Sequence, residues 1–398
     1  MSLARAAPVH RPNEEAGLQV ETIADWQGLL DLQPAWDALL EESGVDHPFL
    51  THEWVKTWWE CFGSGHDLHV LVVKDGGSTI AIAPLMRSAG RFYGLRVRRL
   101  EIIGNDHTQR FDVISGCRRP EALRAIWEAL VRHKALWDVV VLSHLQADSP
   151  SLALLPSLAQ GNGYLTGMWR SAEAPYIPIE GTWDEYFNRL SPKLRANLRR
   201  RERRLRQFGD IRMEVVGSGR EAGDALEEGL RIEAAGWKGL AGTAITADAA
   251  THRFYSLLAR RAAQRGWLRL HFLRVGERRI AFDFSLFYAG KTFMLKPAYD
   301  PAFAACSPYS QLLVRILQDH FDRGVKEFDF LGREDAWKFD WATRTRPQEW
   351  LYMMPDSPRM RLLRFTKFRI VPHLRRHRAL VVARDAARAL SATWSARA

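Results

Sequence analysis

A chain of 398 residues that is 46% hydrophobic and 26% charged is too long for one ordinary core, and it reads as a globular protein of two domains or one duplicated unit. Its formal charge of +11 is local: Ser357 to Ala398 holds eleven Lys/Arg against Asp385 alone, and Lys193 to Arg206 holds eight against Glu202. Cys61, Cys117 and Cys306 form no CxxC pair, which argues against a structural zinc and for a reducing compartment. The N-terminus shows no apolar export core, and no run reaches the ~18 apolar residues that a span needs, so the expected location is the cytoplasm.

Residues 1–17 read as disordered. Helical periodicity follows in DWQGLLDLQPAWDALLEE and in THEWVKTWWECF. LHVLVVKDGGSTIAIAPL (68–85) predicts two strands joined at Gly76-Gly77, and RAIWEALVRHKALWDVVVLSHL (124–145) an amphipathic helix running into a strand. In WDEYFNRLSPKLRANLRRRERRLRQFG, Leu190, Leu194, Leu198 and Leu205 form one helical stripe with arginines on the other faces, interrupted near its start by Ser191-Pro192. EAAGWKGLAGTAI (233–245) ends a helix that begins at about Arg220. Its glycines 236, 239 and 242 surround Trp237-Lys238 and let the backbone turn or approach a ligand. LRLHFLRVGERRIAFDFSL (268–286) predicts a hairpin at Gly276-Glu277, GKTFMLKPAYD (290–300) a further strand, and SQLLVRILQDHFDRGVKEFDFLG (310–332) a helix then a strand. Hairpin, further strand, helix and strand thus occur twice, roughly 190 to 200 positions apart, which predicts a duplicated α/β (α+β) chain with mixed sheets.

No P-loop, HExxH, GxSxG or full GxGxxG is present. The remaining chemistry lies in polar residues set on apolar elements: Asp283 within IAFDFSLF, Lys296 after FML, then Tyr299-Asp300. SPYSQLL starts a helix with Ser307 as N-cap and Pro308 at its first position. EFDFLG carries Asp329, and Lys338 sits beside Trp337 between aromatics. Strand ends are expected to gather Asp283, Tyr299, Asp300, Ser307 and Asp329 around one cleft. The helix start, Ser307 through Pro308, Tyr309, Ser310 and Gln311, would aim unpaired N–H groups into it and suit a pyrophosphate. Singly, each residue also has a bland reading: a loop cap for Asp329, a snorkelling side chain for Lys338, a mere helix start for Ser307.

FLTHEWVKTWW and IAIAPL in the first half, with SPKLRANLRRRERRL, EAAGWKG, YDPAFAACSPYSQLL and EFDFLGREDAWKFDW in the second, resemble the CelD-like subfamily of the GNAT acyltransferases, related to the tandem-GNAT FemABX proteins. The resemblance implies two GNAT-like domains, divided here as 18–175 and 176–356. It also implies transfer of an acyl group from acyl-CoA to an amine in making cell-envelope polysaccharide or lipid, with an amino sugar or a sphingoid base as acceptor. Tyr309 stands where the family reads glycine. For the base it leaves Asp283 or Asp329 ahead of His271, with Glu233 a further candidate; Tyr299 could return a proton to the thiolate, and Lys338 is expected to pair with Asp329 or the acceptor. Trp237, Lys238, Asp300, Trp337 and His271 are expected on the substrate side, with no metal and no DNA. Aminoacyl transfer from tRNA is the less favoured alternative, because the basic helix lacks interleaved aromatics; a non-catalytic GNAT-fold accessory protein is another. Residues 357–398 read as a basic amphipathic tail. Arg361, Arg364 and Lys367 lie beside Leu362, Phe365 and Phe368, and a second stripe runs through Leu380, Ala383, Ala387, Leu390 and Trp394. Such a tail suits the anionic inner face of the cytoplasmic membrane.

Overall fold

The computed structural model describes residues 17–219, 221–236, 242, 244–332 and 335–374. The N-terminal half runs β1 (Gln19–Ile23), α1 (Trp26–Asp31), α2 (Gln33–Ser43), α3 (His52–Phe62), β2 (Asp67–Leu68), β3 (Val70–Asp75), β4 (Ser78–Ala83) and β5 (Leu85–Phe92). It continues with β6 (Leu95–Ile102), β7 (Ile114–Ser115), α4 (Arg119–Arg132), β8 (Val139–Gln146), α5 (Pro150–Gly161) and β9 (Tyr164–Pro178). The C-terminal half has α6 (Trp183–Arg189), α7 (Pro192–Leu205), β10 (Ile211–Val216), α8 (Glu221–Ala235), α9 (Ala249–Gln264), β11 (Leu268–Val275), β12 (Arg278–Tyr288) and β13 (Lys291–Tyr299). It closes with α10 (Pro308–Arg323), β14 (Glu327–Asp329), α11 (Ala336–Phe339), β15 (Arg344–Pro355) and α12 (Pro358–Phe365).

Local chemistry sets these limits. Thr51 and Ser191 each lie in front of a helix and accept from the backbone N–H three residues on, at Trp54 and Leu194, as N-caps do. Ser191 and Pro192 therefore divide the basic segment into α6 and α7 rather than bending one helix. Leu198 and Leu205 are buried on the inner face of α7.

Among the described residues the strands form two sheets: a four-stranded sheet β1-β3-β4-β7 and an eleven-stranded sheet β10-β11-β12-β13-β14-β9-β15-β8-β6-β5-β2. The repeated order of elements is present in both halves, but the pairing differs. Hairpin β3–β4 lies in the small sheet, whereas its counterpart β11–β12 lies in the large one; Pro84, between β4 and β5, interrupts the meander because it has no N–H to give to a ladder. Strand β9 runs unbroken through residues 175 and 176. On its far side β15, from the C-terminal half, pairs along β9 from Arg344↔Tyr176 to Pro355↔Tyr164 and along its other edge with β8. The N-terminal half is thus completed by a strand from the C-terminal half.

Side chains also bind the halves together. Trp54 packs edge-on against Phe254 at 5.3 Å and Phe49 against Phe293 at 6.1 Å. Arg261 and Arg265 reach back from α9 and its C-terminus to Glu60, Glu53 and Asp37 on α3 and α2. Among the described residues, no helix is long and apolar enough to cross a membrane.

Candidate active site

Parallel strands β13 and β14 pair at Lys291↔Glu327, Thr292↔Phe328 and Phe293↔Asp329, and β14 then ends. Phe330 turns its N–H to the Pro175 carbonyl at 3.1 Å instead. Leu331 and Gly332 follow at positive φ, 51° and 65°, which carries the chain away from β13 as that strand continues to Tyr299. A leucine in the left-handed region is strained and needs outside support. Asp329 supplies part of it, its Oδ1 accepting from the Leu331 N–H at 2.8 Å, and Lys338 Nζ donates to the Leu331 carbonyl at 2.9 Å. The two strands therefore part in a V, held open at one residue from both sides.

The mouth of the V is a cleft of about 1470 Å³ between the halves. Met294 to Tyr299 form one wall, Phe330 to Gly332 the other, and Ser307, Tyr309 and Ser310 the base of α10. Opposite Phe284 and Ser285 the partners are Lys296 and Met294, so Leu295 is the extra residue of a β-bulge. A bulge re-aims backbone groups that a regular ladder would consume.

At the start of α10, Ser307 takes a left-handed conformation (φ 46°) and its side chain makes no cap, contrary to the N-cap expectation; Asp300 caps the preceding 3-10 turn, at Ala302, instead. Pro308 has no N–H, and those of Tyr309 and Ser310 have no intrahelical carbonyl to meet. Gln311 lies off the cleft: its side chain donates to the Leu198 carbonyl at 3.0 Å and its N–H to Ser307. Arg201 and Leu194 of α7 line the same cleft.

Tyr309 is buried, and its hydroxyl donates to Asp283 Oδ2 at 2.8 Å; burial and the Asp283 charge both push its ionisation well above the ordinary tyrosine range. Trp337 meets the Tyr309 and Phe330 rings edge-on at 5.7 and 5.8 Å. Asp283 itself is fully buried, also accepting from Ser285. His271 is its cross-strand partner, with Nδ1 3.5 Å away. Neither Asp283 nor His271 reaches the cleft surface, so their link to it runs through Tyr309. Asp300 is tied to Arg278 at 2.6 Å.

Of the two partners expected for Lys338, Asp329 or the acceptor, Asp329 is engaged elsewhere. It is fully buried between Arg110 and Arg346. Arg346 also binds Glu327, Lys291 sits 3.7 Å from Glu327, and Lys291 pairs with Asp46. Burial brings the Arg110 guanidinium down to about 10, so it stays charged at neutral pH. This cluster joins Asp46 and Arg110 of the N-terminal half to the strands beneath the V. Lys338 pairs locally with Asp335 at 3.0 Å.

The opposite wall carries groups from both halves. Glu233, at the end of α8, lines the cleft and accepts from the Ile245 N–H at 2.9 Å. Tyr255 OH lies 3.3 Å from His107 Nδ1, and the Lys296 ammonium stands 5.2 Å over the Tyr255 ring. Burial, then the Lys296 charge, lowers His107 to about 4, leaving it neutral at pH 7. His107, Tyr255 and Arg201 are absent from the sequence-derived set. The available signal was NDHTQR (105–110), an all-polar loop whose Thr108 and Arg110 are buried. Trp237 and Lys238 lie outside the described residues. The structure therefore brings Glu233, Tyr299, Ser307, Tyr309 and Ser310 to one cleft together with Trp337 and Lys338, and sets Asp283, His271, Asp300, Gln311 and Asp329 behind or away from it.

Residues 192–339 match the acetyltransferase (GNAT) domain family. No curated protein matches the chain by sequence. By structure it is similar to FemX (13% identity, TM-score 0.55, covering 83% of this chain and 98% of that one). It is also similar to a conserved protein of unknown function from Bacteroides thetaiotaomicron (12%, 0.51, 84% and 100%). A third similar structure is the C-terminal domain of a putative lysylphosphatidylglycerol synthetase from Agrobacterium fabrum (13%, 0.50, 82% and 92%). The splayed strands and the helix start beneath them lie inside the matched region: residues 192–339 carry an acetyltransferase (GNAT) domain, and the chain as a whole has a fold similar to that of FemX.

Proposed function

We propose that the protein is an acyl-CoA-dependent N-acyltransferase that acts on an amine acceptor in cell-envelope polysaccharide or lipid biosynthesis, a sphingoid base being one candidate. The observation that carries this reading is the V between β13 and β14 with the start of α10 at its base. Tyr309 and Ser310 N–H groups, the positive end of the helix dipole and Arg201 offer a pyrophosphate the donors and charge it needs. The acyl thioester would then lie along the bulged strand, its carbonyl oxygen toward backbone N–H groups near Leu295. The acceptor nitrogen attacks the carbonyl carbon, a C–N bond forms, and the C–S bond breaks to release CoA thiolate. Glu233, a carboxylate lining the cleft, is assigned the amine proton, and Tyr299, on the same lining, its return to the thiolate. Asp329 and Lys338 serve as positioning residues, because they hold the turn that opens the V. The exposed apolar face of α12 supports a place at an anionic membrane surface, where a lipid-borne acceptor is met.

A second reading, aminoacyl transfer from tRNA, draws support from the arginines on the outer face of α7. Calorimetry with CoA and with aminoacyl-tRNA separates the two. CoA should bind with a Kd weakened about tenfold or more by Arg201→Ala, since one phosphate contact is lost. Binding of aminoacyl-tRNA but not CoA establishes the second reading, and binding of neither leaves a non-catalytic GNAT-fold protein.

A further inference from the structure

Beyond α12 the helix continues as a single π-turn, Thr366–Ile370, a device that inserts a residue and re-aims the side chains around it. Lys367 is the residue turned inward. It is buried, and its ammonium lies 5.3 Å from the Phe92 ring centroid, 6.0 Å from Tyr93, 4.7 Å from Trp169, 4.5 Å from Tyr352 and 5.8 Å from Phe368. Each distance is within the range at which a ring face attracts a cation. Lys367, Tyr93 and Trp169 all line the same cleft as Glu233 and Tyr309.

Most of this cage belongs to the sheet. Phe92 ends β5, Trp169 is on β9 and Tyr352 on β15; Phe92 and Tyr352 stack at 6.0 Å and 17°. Tyr93 occupies a two-residue turn with Gly94, both at positive φ (48° and 86°), a turn that favours Asn or Gly at its first position. A bulky residue held in that conformation marks a place where the surroundings fix it. Only Phe368 and the cation come with the C-terminal segment. Withdrawing that segment would leave four rings in place.

We propose that this cage is a binding site for an alkylammonium group, and that Lys367 is its internal occupant. A wall of π faces favours a cation with a small desolvation cost, so a quaternary or N-alkylated ammonium suits it better than the strongly hydrated primary ammonium of lysine. The caged group is not an attacking amine. A nucleophilic nitrogen must be neutral, and the cage stabilises the charged form. The site therefore takes a second, non-reacting cationic group of a molecule that enters the cleft, or a cationic lipid head group at its rim. The inference stands on the geometry of the cage, whatever the donor is.

Titration calorimetry of the full chain with choline, and with its neutral isostere 3,3-dimethyl-1-butanol, tests it. Lys367→Ala should bind choline about tenfold or more tighter than the wild type, the neutral isostere should not bind, and adding Trp169→Ala should remove the gain. Equal choline affinity in wild type and Lys367→Ala, or equal binding of the isostere, overturns the proposal. If Lys367→Ala does not fold, limited proteolysis of the wild type decides: choline, and not the isostere, should expose the 358–374 segment, and unchanged cleavage overturns the proposal. Given a positive result, phosphatidylcholine vesicles against free choline identify a membrane-borne or a soluble source.

Discussion

Asp329 keeps its charge inside a strand because Arg110 and Arg346 meet it there, and it spends its second oxygen on the Leu331 N–H. Removing one partner of a buried pair leaves the other charge uncompensated, at a cost of roughly 3–5 kcal/mol. Asp329→Asn should therefore lower the thermal midpoint and reduce transfer, because the turn that opens the V loosens with it. Lys338→Ala, whose partners are Leu331 and Asp335, should reduce transfer with a smaller loss of stability. A wild-type midpoint in purified Asp329→Asn would remove the ion cluster from this account. Both residues were legible in the sequence as polar residues on apolar elements. Their partners were not, since Arg110 stands 219 positions before Asp329 and nothing local marks that pairing. Tyr309 shows the same limit: its place at a helix start was readable, whereas its bond to Asp283 across the strands was not.

Helix α12 carries two apolar faces. Met360 and Leu363 are buried against the sheet, while Leu362 and Phe365 are each 57% exposed and Leu374, past the π-turn, 55%. Outward leucine and phenylalanine beside Arg361 and Arg364 are the composition of a helix lying in a lipid interface, where each basic residue contributes about 1 kcal/mol near an anionic surface. The full-length chain should co-sediment with phosphatidylglycerol vesicles in preference to phosphatidylcholine ones, and Leu362→Ser/Phe365→Ser should reduce that binding severalfold without changing the thermal midpoint. Undiminished binding by the double variant would clear this face of the role. The basic amphipathic character of the segment was visible as periodicity. Which face the protein itself would cover was not, because that depends on β9 and β15 lying beneath it; Gly167 of β9 leaves the space that the Phe368 ring fills. Helices and hairpins with strong periodicity were readable, but neither β9 nor β15 was among the strands expected, and a pairing between distant strands is set by tertiary contact rather than by local pattern.

Across the whole molecule, burial has made several histidines poor bases: His47 and His320 are lowered to about 3 and His69 to about 4. In the unfolded chain each titrates near 6.5. Between that value and about 4 the unfolded state binds protons that the folded state refuses, so stability is complete above pH 6.5 and is lost as pH falls, by roughly 1–2 kcal/mol per histidine at pH 5. Urea unfolding at pH 7 and pH 5 should show the lower midpoint at pH 5, and equal midpoints would contradict the neutral burial of these rings. The other property of the whole is the crossing of β15 between β8 and β9. A growing chain emerges N-terminus first, and domains tend to fold as they appear. Here β8 and β9 can collapse early yet cannot be joined until residue 355 has been synthesised, so the N-terminal half waits, with open strand edges, for the C-terminal half to be made. The cleft, lined by residues of both halves, is therefore complete only after β15 and the segment that follows it have been made.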